Sequence, residues 1–542
     1  MASHGYGHPQ NFDPPSWDPI PCGNFSDELS SDPTTLFAVL EVQSEATAYE
    51  CSGVGSWDSS LQVPYQYVET STPSDPSSNS PPLSLDNLSS DDNYLPRGVQ
   101  SESKRKSESV DGTSPNKRSK SANGHTHPAH TAMNRKTGAC LACQMRTNKH
   151  GCRPGPKTDG PCEACWKKGN ALGPPICRRA RFQDVKIIRL GPSRAFAYTL
   201  RWLKDLKATQ AEWKKGTNMP VKKSRQRSHG CIDVQLSQGH SINTLNLKVQ
   251  EFDPVDGDKT SYEWFDDDGV RHVYHCPHYA IADREHALDR VCRFIDSNVV
   301  QYFRNLLPAP NDPSAKYVRM VFRNALSRAR ESSLVALAIR FWVAGRLIED
   351  PWSIKGDEKL GMELDPLPTS PYSQRIPVTP MMDFQIDNIT IYNYLTGILD
   401  RIRKAMKERI MPIKKEDWFD IHLATFILLH HADLTMKHDV DFAKLHCLAR
   451  RFSNRPLIEM ITFGANSLLS FYQHEKGHFP LSAPDWSEVE TGYRFNESQK
   501  SYLLEARRLI QQIDIPRKAG DDFYWTSQIY DRNWQPATVE VV

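Results

Sequence analysis

The chain has 542 residues, 38% of them hydrophobic and 24% charged, with a net charge of only +2. That length allows several domains, but no stretch approaches the unbroken apolar run of about 20 residues that a membrane helix needs; the best candidate, Ser333–Gly345, is interrupted by Arg340. Met1–Gln10 is polar and contains His, Gly and Pro, unlike a signal peptide or an Arg-rich transit segment, so a soluble intracellular chain without a membrane partner is expected.

The small net charge conceals an asymmetry. Residues 1–100 carry fourteen acids and a single base, Arg97, a balance of −13; residues 101–190 carry nineteen Lys or Arg and six acids, a balance of +13. An acidic head beside a basic block predicts an interaction tail next to an anion-binding module, with nucleic acid the obvious anion. Residues 1–130 are rich in Ser, Pro, Asp and Asn and cannot bury enough apolar surface to offset their ordering entropy, so they are expected to be disordered. Within them Trp17, Phe25, Leu29, Leu36, Phe37 and Leu40 stand among Asp18, Asp27, Glu28, Asp32 and Glu41, the composition of a disordered activation segment or of a solvated tail. Two basic clusters follow, Lys104-Arg105-Lys106 and Lys117-Arg118-Ser119-Lys120, ten residues apart. They resemble a bipartite nuclear localisation signal, which implies a nuclear import receptor as partner and the nucleus as destination.

Six of the twelve cysteines fall between residues 140 and 177, at spacing C-x2-C-x8-C-x9-C-x2-C-x11-C; the other six (Cys22, Cys51, Cys231, Cys276, Cys292, Cys447) are scattered. In an intracellular chain, two CxxC pairs bracketing a basic loop predict bound metal rather than a disulfide framework. Two tetrahedral zinc ions require eight ligand positions, and six thiolates supply them if two sulfurs bridge. That core would carry a formal charge of −2, more than offset by Arg146, Lys149, Arg153, Lys157, Lys167, Lys168, Arg178, Arg179 and Arg181, leaving a cationic outer face suited to phosphates. A segment so poor in apolar residues would draw its folding energy from the metal, about 10–16 kcal/mol per structural zinc.

The segment resembles the fungal binuclear zinc-cluster family of transcription factors, through Cys140-Leu-Ala-Cys143, the basic loop to Cys152, Pro161-Cys162-Glu-Ala-Cys165 with Lys167, and Cys177 followed by Arg178-Arg179. The resemblance implies that Cys140 and Cys162 bridge two zincs, with Cys143 and Cys152 completing one ion's set and Cys165 and Cys177 the other's. It also implies double-stranded DNA as partner, Arg146 as reader of guanine edges, and Lys149, Arg153 and Lys157 as phosphate contacts. This chain departs from the family pattern in its eight-residue second loop, in Thr147 where a cation is usual, and in the long final spacing. A rival reading is one zinc held by Cys140, Cys143, Cys162 and Cys165, whose pairs stand eighteen residues apart. It resembles a GATA-type finger, but lacks that finger's Trp-Arg-Arg and leaves Cys152 and Cys177 idle.

Beyond the cysteines, Ser193–Lys215 reads as a helix with Phe196, Leu200, Leu203 and Leu206 toward one face, over barely three heptads, so a homodimer is open but unsupported. Leu245–Val249 alternates as a strand does, and Tyr262–Phe265 and Val270–Tyr274 flank Asp266-Asp267-Asp268-Gly269 as a hairpin. Helices are expected over 284–306, 315–348, 385–410, 417–436, 440–452, 455–473 and 497–513, with Pro-containing loops at 308–313 and 351–380.

The expected fold is therefore mainly α. A disordered acidic region (1–130, with the import signal at 104–120) precedes a small two-zinc cluster (131–190) and a linker with a short helix (191–240). A small β element then leads into a helical regulatory domain (241–515), followed by a tail (516–542).

Two further groups of metal-ligating residues compete for notice. His272, His275, Cys276 and His278, with His229 and Cys231 upstream, lack a second pair at finger spacing and read as sheet residues. His430, His431, Asp433, His438, Asp439 and Asp441 could suggest a metal-dependent phosphohydrolase, but the usual wide separation within that set is missing and helix-end residues are the better reading. With no glycine-rich phosphate loop and no G-x-S-x-G elbow, an enzyme is not expected. The leading expectation is a sequence-specific DNA-binding regulator of RNA polymerase II genes, with transcription co-regulators as further partners. The alternative is a nuclear zinc-containing co-regulator that grips protein rather than DNA.

Overall fold

The computed structural model describes residues 139–145, 152–153, 161–172, 181–189, 231–266, 270–368, 370, 372–410, 415–445, 450–474, 477–514, 516 and 518–538. The acidic head, both basic clusters at 104–120 and the expected helix 193–215 lie outside the described residues. The described part is mainly helical. Two short helices carry cysteines, α1 (Leu141–Met145) and α2 (Glu163–Leu172), and a single 3-10 turn follows at Phe182–Asp184.

A small antiparallel sheet comes next, formed by β1 (Ile232–Ser237), β2 (Leu245–Glu251), β5 (Tyr279–Ile281) and β6 (Ser353–Lys355) in the order β5-β2-β1-β6. Its register pairs Val234 with Leu247 and Leu236 with Leu245, so one face delivers a block of buried aliphatic side chains to the helices. The expected hairpin is present as β3 (Ser261–Phe265) and β4 (Arg271–His275), a separate two-stranded ribbon with Tyr262 opposite Tyr274. Tyr262 ties it to the rest by donating its hydroxyl to the Val378 carbonyl at 2.8 Å.

The helices begin where side chains can satisfy their unpaired N–H groups. Asp283 caps α3 (Arg284–Leu306), Asp312 caps α4 (Pro313–Arg328) with Pro313 in its first turn, and Ser332 caps α5 (Ser333–Arg346). The Ser332 cap separates α4 from α5, so the helix expected over 315–348 is two helices. Every residue of α5 from Leu334 to Arg346 is buried, which makes it the axis of the domain. Its one mid-helix charge, Arg340, is paired with Asp296 of α3 at 2.6 Å.

Thr379 caps α6 (Pro380–Asn388), which continues through a π-helical stretch at Ile389–Leu395 into α7 (Thr396–Ile410). The helices expected separately at 417–436 and 440–452 are largely one, α8 (Trp418–Leu445), lying along α5. Then come α9 (Arg455–His474), the short α10 (Phe479–Ser482) and α11 (Trp486–Gly492), and α12 (Glu497–Ile510), opened by a reciprocal Asn496–Gln499 capping box. Within the segment expected as a tail, 516–542, the described residues 518–538 pack on the helices. Its turn α13 (Tyr524–Ser527) docks on α8, and Phe523, Trp525, Ile529, Tyr530 and Trp534 are buried in the core. Sparse aromatics without helical period gave no sign of that burial. Among the described residues no helix is long and apolar enough to cross a membrane.

Candidate metal centre

Each CxxC pair sits at the start of a short helix. Cys140 immediately precedes α1, where its carbonyl accepts from the main-chain N–H groups of Cys143 (3.0 Å) and Gln144 (2.9 Å). Cys162 immediately precedes α2, and its carbonyl accepts from Trp166 N–H at 2.8 Å. These turns bring the two sulfurs of each pair to one side. Cys152 is drawn in from the intervening loop: Cys140 N–H points at its sulfur at 3.2 Å, and the Arg153 carbonyl accepts from Glu163 N–H at 3.0 Å.

The result is a dense sulfur set. Cys140, Cys143, Cys152, Cys162 and Cys165 are outside any disulfide and between 0% and 3% exposed, packed with Ala139, Ala142 and Ala164. The Cys140 sulfur lies 3.7 Å from that of Cys162 and 3.6 Å from that of Cys165, and Cys143 lies 3.7 Å from Cys162. Sulfurs bound to one zinc at about 2.3 Å would be spaced at about 3.8 Å by tetrahedral geometry, close to these three separations. The sulfurs of Cys140, Cys143, Cys152 and Cys162 all lie within 4.8 Å of one another. Burial pushes the Cys143 thiol up to about 11, so a cation entering here has to displace protons, as metals do on binding thiolates.

Cys177, the sixth ligand expected, lies outside the described residues, as do Arg146, Lys149 and Lys157. Arg153 is described and exposed beside Cys152. Lys167 is exposed too, in a surface pair with Glu163 at 2.7 Å that contributes little by itself.

In the other two ligand groups, His272, His430, His431, Asp433 and Asp439 are engaged in structural contacts. His272 bonds the Asp266 carboxylate at 2.7 Å and stacks on Trp264, while His275 lies exposed on the same strand. His430 accepts from the Trp342 indole at 3.0 Å; His431 donates to the Ile187 carbonyl at 2.9 Å, with its other ring nitrogen 3.1 Å from Arg346. Burial, and then the charge of Arg346, holds both imidazoles below their usual range, His430 at about 3. Asp433 accepts from the main-chain N–H groups of Trp525 and Thr526 and from the Thr526 hydroxyl. Asp439 accepts from Ser453 and Asn454 N–H at the approach to α9. These are the contacts of helix packing and capping, and they leave no convergent pair of free ligand atoms among those four residues.

Sequence reasoning missed how the cysteine cluster is mounted. Leu141, between Cys140 and Cys143, is fully buried and belongs to the core of the helical domain, with α1 against α9. The strap 181–189 crosses the same region: Phe182 stacks on Phe471 of α9 (3.8 Å between ring centres, 17° between planes), and Arg403 of α7 donates twice to the Val185 carbonyl at 3.0 and 2.6 Å. The signal was present as Phe182, Val185, Ile187 and Ile188, an apolar run within a basic stretch.

Comparison with known proteins places the helical part. The KpeA transcription factor family matches residues 198–517, more than half of the chain, a span that begins after the cysteine cluster. A relative from Stachybotrys chartarum, the satratoxin biosynthesis SC3 cluster transcription factor SAT20, is 21% identical over 405 residues, covering 71% of this chain and 52% of that protein. This chain thus spans about half the length of the curated relative it matches. No solved structure matches it. A mainly helical domain behind a cysteine cluster, together with a family match across most of that domain, identifies the chain as a member of the KpeA transcription factor family.

Proposed function

We propose that the chain is a nuclear, sequence-specific DNA-binding regulator of RNA polymerase II genes, whose six-cysteine cluster holds two zinc ions and carries its DNA-reading cations. The observation that carries this reading is the composition of the four-sulfur group. The sulfur completing it with Cys140, Cys143 and Cys162 is Cys152, while Cys140 also lies 3.6 Å from Cys165. A shared Cys140 between two sets is what a bridged pair of ions requires. A single zinc on Cys140, Cys143, Cys162 and Cys165 would give Cys152 no reason to be buried among them. Cys177 would complete the second set.

Bound metal would supply the cluster's folding energy and a compact anionic core. The chain's own residues do the rest. Arg146, directly after α1, reads guanine edges in the major groove; Lys149, Arg153 and Lys157 neutralise phosphates and fix the register. Lys104, Arg105, Lys106, Lys117, Arg118 and Lys120 engage an import receptor, and the acidic head meets transcription co-regulators.

Selection of bound sites from random duplexes by the full chain, followed by affinity measured across salt concentrations, tests this reading. Three phosphate-neutralising cations would make log K fall with log salt at a slope of about −2.7, from about −0.9 per contact. A flat salt dependence without an enriched sequence would instead favour a co-regulator that grips protein.

A further inference from the structure

We propose that the helical domain is the seat of the cysteine cluster, so that retaining metal and keeping the helical core closed form one coupled equilibrium. The inference rests on the metal reading above and adds residues that contribute no ligand atom, Leu141 and the strap 181–189.

Four observations carry it. Leu141 is flanked by residues of the sulfur set, Cys140 on one side and Ala142 and Cys143 on the other, yet its own side chain lies in the helical domain's core at 0% exposure. One short turn therefore sends neighbouring side chains into two cores. Its conformation cannot change for the sulfurs without withdrawing a leucine from the helices. Second, the strap is held through its main chain: Val185 O by Arg403, and Ile187 O by His431. Third, Phe182 lies flat on Phe471, while Val185, Ile187 and Ile188 are buried beside it. Fourth, the far end is fastened by Arg189 to Asp387 of α6 at 2.5 Å. Helices α6, α7, α8 and α9 all grip the segment that follows the cluster.

Linkage then works in both directions. A metal that binds only the ordered cluster stabilises whatever is packed on that cluster, and a closed helical core raises metal affinity by the same factor. Anything that loosens α7 or α9 would loosen the sulfur set. Leu141 and Phe182 are thus positioning residues for the metal centre.

The test uses the full chain loaded with zinc, its Leu141→Ala and Phe182→Ala variants, and Leu504→Ala as an exposed control on α12. Zinc retention is read by competition with a chelating zinc indicator, and the thermal midpoint of the helical signal is recorded with and without zinc. Expected are retention at least about tenfold weaker in both variants, tenfold being about 1.4 kcal/mol, a wild-type midpoint that falls on zinc removal, and a smaller fall in the variants. Phe182→Ala, on the strap and outside the α-helices, keeps the test alive should Leu141→Ala fail to fold. Equal retention in wild type and folded variants, or a midpoint indifferent to zinc, overturns the coupling while leaving the metal reading intact. A chain that holds no zinc overturns both.

Discussion

Gly464 of α9 and Lys186 of the strap meet backbone to backbone. A Cβ placed on Gly464 would stand 2.4 Å from the Lys186 carbonyl oxygen and 2.8 Å from its carbonyl carbon and amide nitrogen. Neither main chain can swing aside as a flexible side chain would. The strap crosses α9 at the one residue type that leaves room for it.

Gly464→Ala is therefore expected to destabilise the protein even though alanine is the better helix former. Overpacking of this kind costs about 1–3 kcal/mol. Urea denaturation followed by circular dichroism would measure it, and protease cleavage should appear within 181–189. Unchanged stability would mean that the strap is not seated on α9.

Cys152→Ser separates the two metal stoichiometries. If Cys152 completes a set with Cys140, Cys143 and Cys162, as the sulfur spacing suggests, elemental analysis of the purified variant should find about one zinc fewer per chain than in wild type. Full retention of zinc would support the single-ion arrangement, in which Cys152 is idle.

Asp433 fastens the C-terminal turn to α8, and its titration gives stability a pH dependence of defined sign. Burial pushes its carboxyl from 3.8 up to about 7, although three donors pull the other way. The folded state thus holds the proton more tightly than the unfolded one. Its contribution is complete below about pH 4 and is lost as pH rises through 7. Asp433→Asn should flatten that part of the stability profile in chemical denaturation. Asp433→Ala should cost about 1–3 kcal/mol by stranding buried donors, with residues 518–538 becoming the first region open to hydrogen exchange.

Arg340 and Asp296 are a buried pair, their side chains 5% and 9% exposed. Burial raises the Asp296 carboxyl, and the Arg340 guanidinium opposes that rise. Arg340→Met leaves a carboxylate in the core without its counter-ion, and the expected loss is about 3–5 kcal/mol. The double variant Arg340→Met, Asp296→Leu should recover most of it. A double-mutant cycle in urea checks the coupling; additive losses would show that the two charges are stabilised separately.

Legibility from the sequence followed the range of the interactions. Helices expected at 284–306, 455–473 and 497–513 match α3, α9 and α12 closely, because an apolar stripe and a cap are local signals. The hairpin was legible for the same reason. By contrast β6 is three residues long, and it joins a sheet only by pairing with β1 more than a hundred positions earlier. No local pattern announces that. The expected break between 436 and 440 is bridged within α8, where burial of Met436 and Val440 against the core outweighs the polar His438, Asp439 and Asp441.

By itself, the sequence determined the chemistry of the centre: which sulfurs stand in pairs, that they suit a metal ion, and that the surrounding sequence is cationic. Those properties follow from residue identity and short spacing, and thiolate–metal bonding needs little else. Tertiary structure decided which sulfurs gather, with Cys152 beside Cys140, Cys143 and Cys162, and where the cluster is mounted, through Leu141 and the strap on α7, α8 and α9. Such contacts join residues hundreds of positions apart. They exist only because burying apolar surface and pairing main-chain carbonyls outweigh the entropy of closing those loops, a balance that no single stretch of chain records.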